Sequence, residues 1–296
     1  PSERVVWERI RLADPITGEI PKNIRKKEMI FAKTLPKSTA MSKANWVHRG
    51  PYNVGGRTRA LAMDVLDENT LFAGGASGGM FRSTDGGLSW AMTTDPNQLH
   101  NVTCVSQDRR PFKENIWYFG SGELTGSSAS GGEAYYGGNG IYKSVDGGLS
   151  WDSLSVTATN TNGFDSDFDF IWNIETDPSN DSLDVVYAAT YGTIYRSENG
   201  GNSWIQELGG GSAYYNNVEV ASNGVVYATL SSDGLDKGIW RSVDGQNWTN
   251  ITDSLFPPVY GRIAIGINPS NENQVYFLAA ETDNYGQYTD VFFNGQ

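Results

Sequence analysis

From Trp46 onward the chain is built of short runs in which apolar and polar residues alternate, separated by glycine, asparagine and aspartate. Alternation with a period of two turns one face of each run toward a core, so these runs read as strands. They come in a fixed order. An inner run, Arg59-Ala60-Leu61-Ala62-Met63-Asp64-Val65, is followed by Thr70-Leu71-Phe72-Ala73-Gly74-Gly75. A third, Phe81-Arg82-Ser83, then ends in a tight turn and returns at Trp90. The same order recurs at 102–106 with 116–119, at 171–175 with 185–189 and at 217–220 with 225–228. A fifth unit opens at 262–267 with 274–278.

The third run of each unit is nearly a copy of the first. Phe81-Arg82-Ser83-Thr84-Asp85-Gly86-Gly87-Leu88-Ser89-Trp90 returns as Ile141-Tyr142-Lys143-Ser144-Val145-Asp146-Gly147-Gly148-Leu149-Ser150-Trp151, then as a third copy ending at Trp204 and a shorter fourth ending at Trp248. Asp-Gly and Asn-Gly pairs favour tight turns, because glycine accepts positive φ and a short carboxylate or amide bonds nearby backbone N–H groups. Asp85, Asp146, Asn199 and Asp244 therefore read as turn locks. Trp90, Trp151, Trp204 and Trp248 read as wedges between neighbouring sheets, since each indole buries a large apolar ring.

Residues 1–44 do not share the repeat. Within them 21–35 predicts a helix, with Ile24, Met29, Ile30 and Phe31 toward one side and several cations on the rest. The expected division is an extension over 1–44 and a repeat domain over 45–296. The 296-residue chain carries a formal net charge of −12, which excludes nucleic acid and anionic membrane surfaces as partners, both of which need clustered cations. No apolar run is long enough to span a bilayer, so membrane insertion is not expected. Cys104 is the single cysteine and forms no disulfide within the chain.

The turn copies resemble the Asp-box, or bacterial neuraminidase repeat, Ser-x-Asp-x-Gly-x-Ser/Thr-Trp. Together with Asp177-Pro178-Ser179-Asn180 and Asn268-Pro269-Ser270-Asn271 they are similar to sortilin-like and xyloglucanase-like Asp-box propellers. The lead-in Gly50-Pro51-Tyr52-Asn53-Val54-Gly55-Gly56-Arg57-Thr58-Arg59-Ala60 looks like a narrower group of large secreted bacterial proteins that carry a type IX secretion sorting domain. The resemblance implies an all-β fold, an Asp-box β-propeller of which about four and a half blades are present. The fifth unit stops at Gln296, where its own box would begin, so further blades are expected beyond it. Export to the outside or the cell surface of a bacterium is implied by the same resemblance.

Candidate chemistry is sparse. Only two histidines are present, and the early Phe/Tyr-Arg-Ile-Pro motif of sialidases is absent, while Arg57, Arg59 and Arg262 lie at blade starts and read as partners of surface acids rather than as an arginine triad. The xyloglucanase reading calls for two facing carboxylates. Glu175 and Glu219 lie on inner strands but read as isolated, solvent-facing acids. The glycine-rich insert over 120–140 is expected as an exposed loop whose Glu123, Tyr135 and Tyr136 contact a ligand, with Tyr214 and Tyr215 as a second aromatic pair. Asp165, Asp167 and Asp169 alternate and form a weak calcium candidate; no other cofactor is expected. The expected function is a non-catalytic, secreted or surface-displayed scaffold that binds protein or glycan. Its alternatives are a xyloglucanase-like glycoside hydrolase, and an accessory component or cargo of a secretion or motility complex contacted through the basic helix.

Overall fold

The computed structural model describes residues 56–95, 97–98, 101–126, 134–161, 164–282 and 288–295, with a few positions between 13 and 34. The chain divides into two units, Pro1–Gly55 and Gly56–Gln296. In the first, Asp14 accepts hydrogen bonds from the amides of Ile16 and Thr17 at 2.8 and 3.1 Å and closes a turn. Most of the expected helix at 21–35 and the expected boundary at 44/45 lie outside the described residues.

The second unit is a series of antiparallel sheets. The first contains β1 (Thr58–Met63), β2 (Leu71–Gly75), β3 (Gly79–Ser83) and β4 (Ala91–Met92) in that order. In the second sheet β5 (Val102–Gln107) pairs with β6 (Trp117–Ser121). A hairpin of β7 (Glu123–Gly126) and β8 (Ala134–Tyr136) then leaves the sheet before β9 (Ile141–Ser144) and β10 (Asp152–Ser153) complete it. The third holds β11 (Ile171–Thr176), β12 (Val186–Thr190), β13 (Thr193–Ser197) and β14 (Ile205–Gly209). The fourth holds β15 (Asn216–Val220), β16 (Val226–Leu230), β17 (Gly238–Ser242) and β18 (Trp248–Asn250). A three-stranded fifth contains β19 (Ile263–Ile267), β20 (Val275–Thr282) and β21 (Tyr288–Gly295).

Each sheet buries a face against the next. Ala60, Phe72 and Met80 of the first pack with Val102, Trp117, Phe119, Tyr142 and Trp151 of the second. Comparable clusters join the second and third sheets around Tyr118 and Ile174, the third and fourth around Tyr187 and Val226, and the fourth and fifth around Ile239 and Phe277. Sheets stacked in series with their first strands innermost form a β-propeller.

The turn residues perform the same local task in each of the first four sheets. Ser83 Oγ donates to Asp85 Oδ1 at 2.7 Å, and Asp85 in turn accepts from the Ser89 amide and hydroxyl. Asp146 and Asp244 accept equivalent sets, and the Asn199 amide does so while also donating to Ser203. The Ser89 bonds, side chain and backbone, hold the Asp85 carboxyl down at about 2. Positive φ is required just beyond: at Gly148 φ is +76°, and an added Cβ would lie 2.2 Å from the Phe72 ring of the preceding sheet. Trp151 is 3% exposed and wedges between the first two sheets, with its Nε1 donating to Thr93 Oγ1 at 2.9 Å. Trp204 and Trp248 pack into the next two interfaces, whereas Trp90, in the first sheet, is 41% exposed.

Candidate functional site

The inner strands converge on one polar funnel. β1, β5, β11 and β15 contribute Arg59, Gln107, Trp172, Asn173, Glu175, Asn217 and Glu219 to a cavity of about 480 Å³, with Arg109 from just after β5 and Arg262 from just before β19. That size lies within the range of small-ligand sites. Strand periodicity explains the lining: Ile174 and Val218 turn into the sheet interfaces and are fully buried, which leaves their neighbours Asn173, Glu175, Asn217 and Glu219 facing the funnel.

Asn173 ties the two acidic strands together. Its Nδ2 donates to Asn217 Oδ1 at 3.0 Å, to the Val218 carbonyl at 2.8 Å and to Glu219 Oε1 at 3.5 Å. Ser106 Oγ donates to Glu175 Oε2, also at 3.5 Å. These long bonds do little for the carboxylates. Burial pushes the Glu219 carboxyl up to about 7, with the Arg109 charge acting against the rise. Glu175 is raised well above its ordinary range by burial and then by the charge of Glu219. Each of the two acids thus favours its protonated form more than a free carboxyl does. The isolated reading of these residues is thereby corrected, since their strands face one cavity in which both are half-buried. The usable sequence signal was the repeat of Asn-x-Glu at 173–175 and 217–219.

Around the β1 end of the inner strands the funnel turns cationic. The guanidinium carbons of Arg59 and Arg262 lie 5.8 and 5.9 Å from the centroid of the Trp172 ring. Tyr215 packs on the same indole with ring centroids 5.0 Å apart, so one expected contact residue stands beside the funnel. Glu123 is not on an exposed loop. It is 1% exposed and paired with Arg57 and Arg59, the Arg57 Nη1 to Glu123 Oε1 distance being 2.6 Å, because two guanidiniums beside it would otherwise be uncompensated.

The other expected contacts scatter. Tyr136 is 42% exposed, pairs with Glu123 across the β7–β8 hairpin and accepts from Asn101 at its carbonyl; residues 127–133 and the Tyr135 side chain fall outside the described residues. Tyr214 stands 37% exposed against Tyr191 and Tyr215. The calcium candidate does not assemble. Asp169 caps the short 3-10 turn by accepting from the amides of Asp165 and Ser166, Asp167 accepts from Thr193 and Tyr195 hydroxyls, and Asp165 accepts from Thr161. The three carboxylates are engaged in local hydrogen bonds, and no cluster of metal-ligating side chains occurs among the described residues. Cys104 is buried, its thiol pushed up to about 12 by that burial.

No family model matches the chain. Two curated proteins named xyloglucanase are similar to it. The one from Hypocrea jecorina (strain QM6a) is 25% identical over 233 residues, covering 65% of this chain and 26% of that protein. The one from Paenibacillus sp is 26% identical over 228 residues, covering 65% and 21%. The chain thus spans about a quarter of the length of these relatives. Among solved structures, an ancestral GH74 enzyme matches with a TM-score of 0.57 and 21% identity over 81% of this chain and 33% of its own. The GH74 enzyme of Niastella koreensis gives 0.51 and 18% over 79% and 38%. These structural likenesses show the fold, a propeller of the kind those enzymes contain. No helix among the described residues is long and apolar enough to cross a membrane.

Proposed function

We propose that the chain is part of an exported, glycoside-hydrolysing propeller protein, with the inner-strand funnel as its saccharide site. The observation that carries this reading is the coupled pair Glu175 and Glu219 in a single polar cavity. Glycoside hydrolysis calls for one carboxyl group that protonates the leaving oxygen and a second that acts as base or nucleophile. Glu175, raised well above the ordinary carboxyl range, supplies the protonated form, and Glu219, raised to about 7, supplies the ionised one as pH passes neutrality. Arg109 moderates the charge of the pair, while Asn173 and Asn217 offer amide donors and acceptors to sugar hydroxyls. The likeness to xyloglucanases supports a polysaccharide as the ligand.

Release of reducing ends from β-glucan and xyloglucan oligosaccharides tests the proposal. Glu175→Gln and Glu219→Gln are each expected to lower kcat/KM by roughly 10²–10⁴-fold while the oligosaccharide still binds. Binding without cleavage by the native protein would favour a non-catalytic, glycan-binding scaffold on the same funnel. Cleavage unchanged in both variants would remove the carboxylate assignment.

A further inference from the structure

The interfaces between consecutive sheets are built from the same two halves. One half is a ring at a fixed register of the second strand, facing the sheet that follows: Phe72 opposite Ala62, Tyr118 opposite Ser106, Tyr187 opposite Glu175 and Tyr227 opposite Glu219. All four rings are buried in the cluster shared with the next sheet. Three of them lie on the turn glycines of that sheet. Phe72 meets Gly148, Tyr118 meets Gly200 and donates from its hydroxyl to the Gly200 carbonyl at 3.4 Å, and Tyr187 meets Gly245. Glycine is needed there because it holds positive φ and leaves the ring room to reach the backbone.

The other half faces the preceding sheet and is a cross-strand row with the indole that follows the turn. In the second sheet the row is Val105, Phe119 and Tyr142 with Trp151, and it packs on the first sheet. At the two ends of the series one half stands without the other. In the first sheet the row is Leu61, Ala73 and Phe81 with Trp90. There Leu61 is 73% exposed, Trp90 and Met92 are also exposed, and the atoms nearest Gly86 and Gly87 all come from the same sheet. In the fifth sheet Tyr276 occupies the ring position, opposite Gly266, and it is 41% exposed beside the exposed Leu278. Single exposed apolar residues are ordinary, but these occupy positions that the other sheets bury.

We propose that the fifth sheet of one copy of this chain docks on the first sheet of a second copy, with Tyr276 seated on the Gly86-Gly87 turn beside Trp90. The occupant is a second copy because one chain carries both unpaired halves, and because the contact continues an interface that the chain already builds between its own sheets. Such a contact is heterologous, so copies add head to tail until a ring closes. The docked sheet also walls the funnel on its β1 side, where Leu61 and Met63 line the cavity and are exposed. This inference goes beyond the saccharide reading and does not depend on it.

Sedimentation velocity of the 296-residue chain over a wide range of concentration is the test. The expected result is a monomer at the dilute end that gives way to dimeric and larger species. Leu61→Asp spoils only the first-sheet half and Tyr276→Asp only the fifth-sheet half. Both side chains are exposed, so neither variant should lose its fold, which unchanged circular dichroism and thermal melts would verify. Each variant alone should stay monomeric, since every head-to-tail contact needs both halves. An equimolar mixture of the two should form a dimer and nothing larger, joined through the one pair of halves left intact. A native chain that is monomeric throughout, a mixture that fails to dimerise, or association that survives either substitution overturns the proposal.

Discussion

At the residue scale the most informative groups are the carboxyls whose pKa burial raises. Glu219 is raised from an ordinary 4.5 to about 7, so between those values the folded chain holds a proton that the unfolded chain has released. The contribution to stability is therefore fully present below about 4.5 and is lost as pH rises through about 7. Thermal melts from pH 5 to 8 should show the native protein losing up to about 2 kcal/mol that Glu219→Gln keeps; parallel profiles would contradict the burial argument. Arg110 makes the opposite case, a buried charge fully engaged. It is 6% exposed, donates to Asp108 at 2.6 and 2.9 Å and to Asp184 at 2.7 Å, and caps the carbonyls of Asn180 and Leu183. Arg110→Ala strands Asp108 in the interior and should cost about 3–5 kcal/mol in a denaturant titration. A loss below about 1 kcal/mol would mean that water takes over these contacts.

At the element scale the unit is a sheet whose outer turn is locked by one short acid or amide and whose indole enters the preceding interface. Asn199 already does in the third sheet what aspartate does in the others, accepting from the Ser203 amide at 2.9 Å. Asp146→Asn is therefore expected to be nearly neutral and Asp146→Ala to lower Tm by roughly 2–4 °C; equal shifts for both would separate the carboxylate charge from its hydrogen bonds. Gly148→Ala should be far worse, because both the positive φ and the Phe72 ring oppose a methyl there. This level of the structure was legible in the chain, since turn chemistry acts over a few residues and the copies repeat it. The funnel was not, because it depends on which strand of each sheet lies innermost and on contacts across sheets. Glu123 reads as part of a glycine-rich loop, and its buried charge is balanced by Arg57, 66 residues away, and by Arg59. Glu175 and Glu219 looked like ordinary alternating acids until the two strands were brought onto one cavity.

Across the second unit, stability is distributed over interfaces between consecutive sheets, so each sheet depends chiefly on its neighbours. Phe72 is fully buried between the first two, 4.2 Å from Trp117 by ring centroid. Phe72→Ala should cost about 3–5 kcal/mol, and hydrogen exchange should then loosen the first two sheets before the fourth. Uniform loosening would instead show a fully cooperative array. The same serial packing builds the proposed saccharide site, because neighbouring inner strands bring Asn173, Glu175 and Glu219 together at one cavity wall. The most direct test of that arrangement is a crystal structure of the chain soaked with an oligosaccharide that it binds in solution. The account predicts sugar density in the funnel, with a glycosidic oxygen within hydrogen-bond reach of Glu175 or Glu219. Density confined to Tyr136 or Tyr214 with an empty funnel would contradict it.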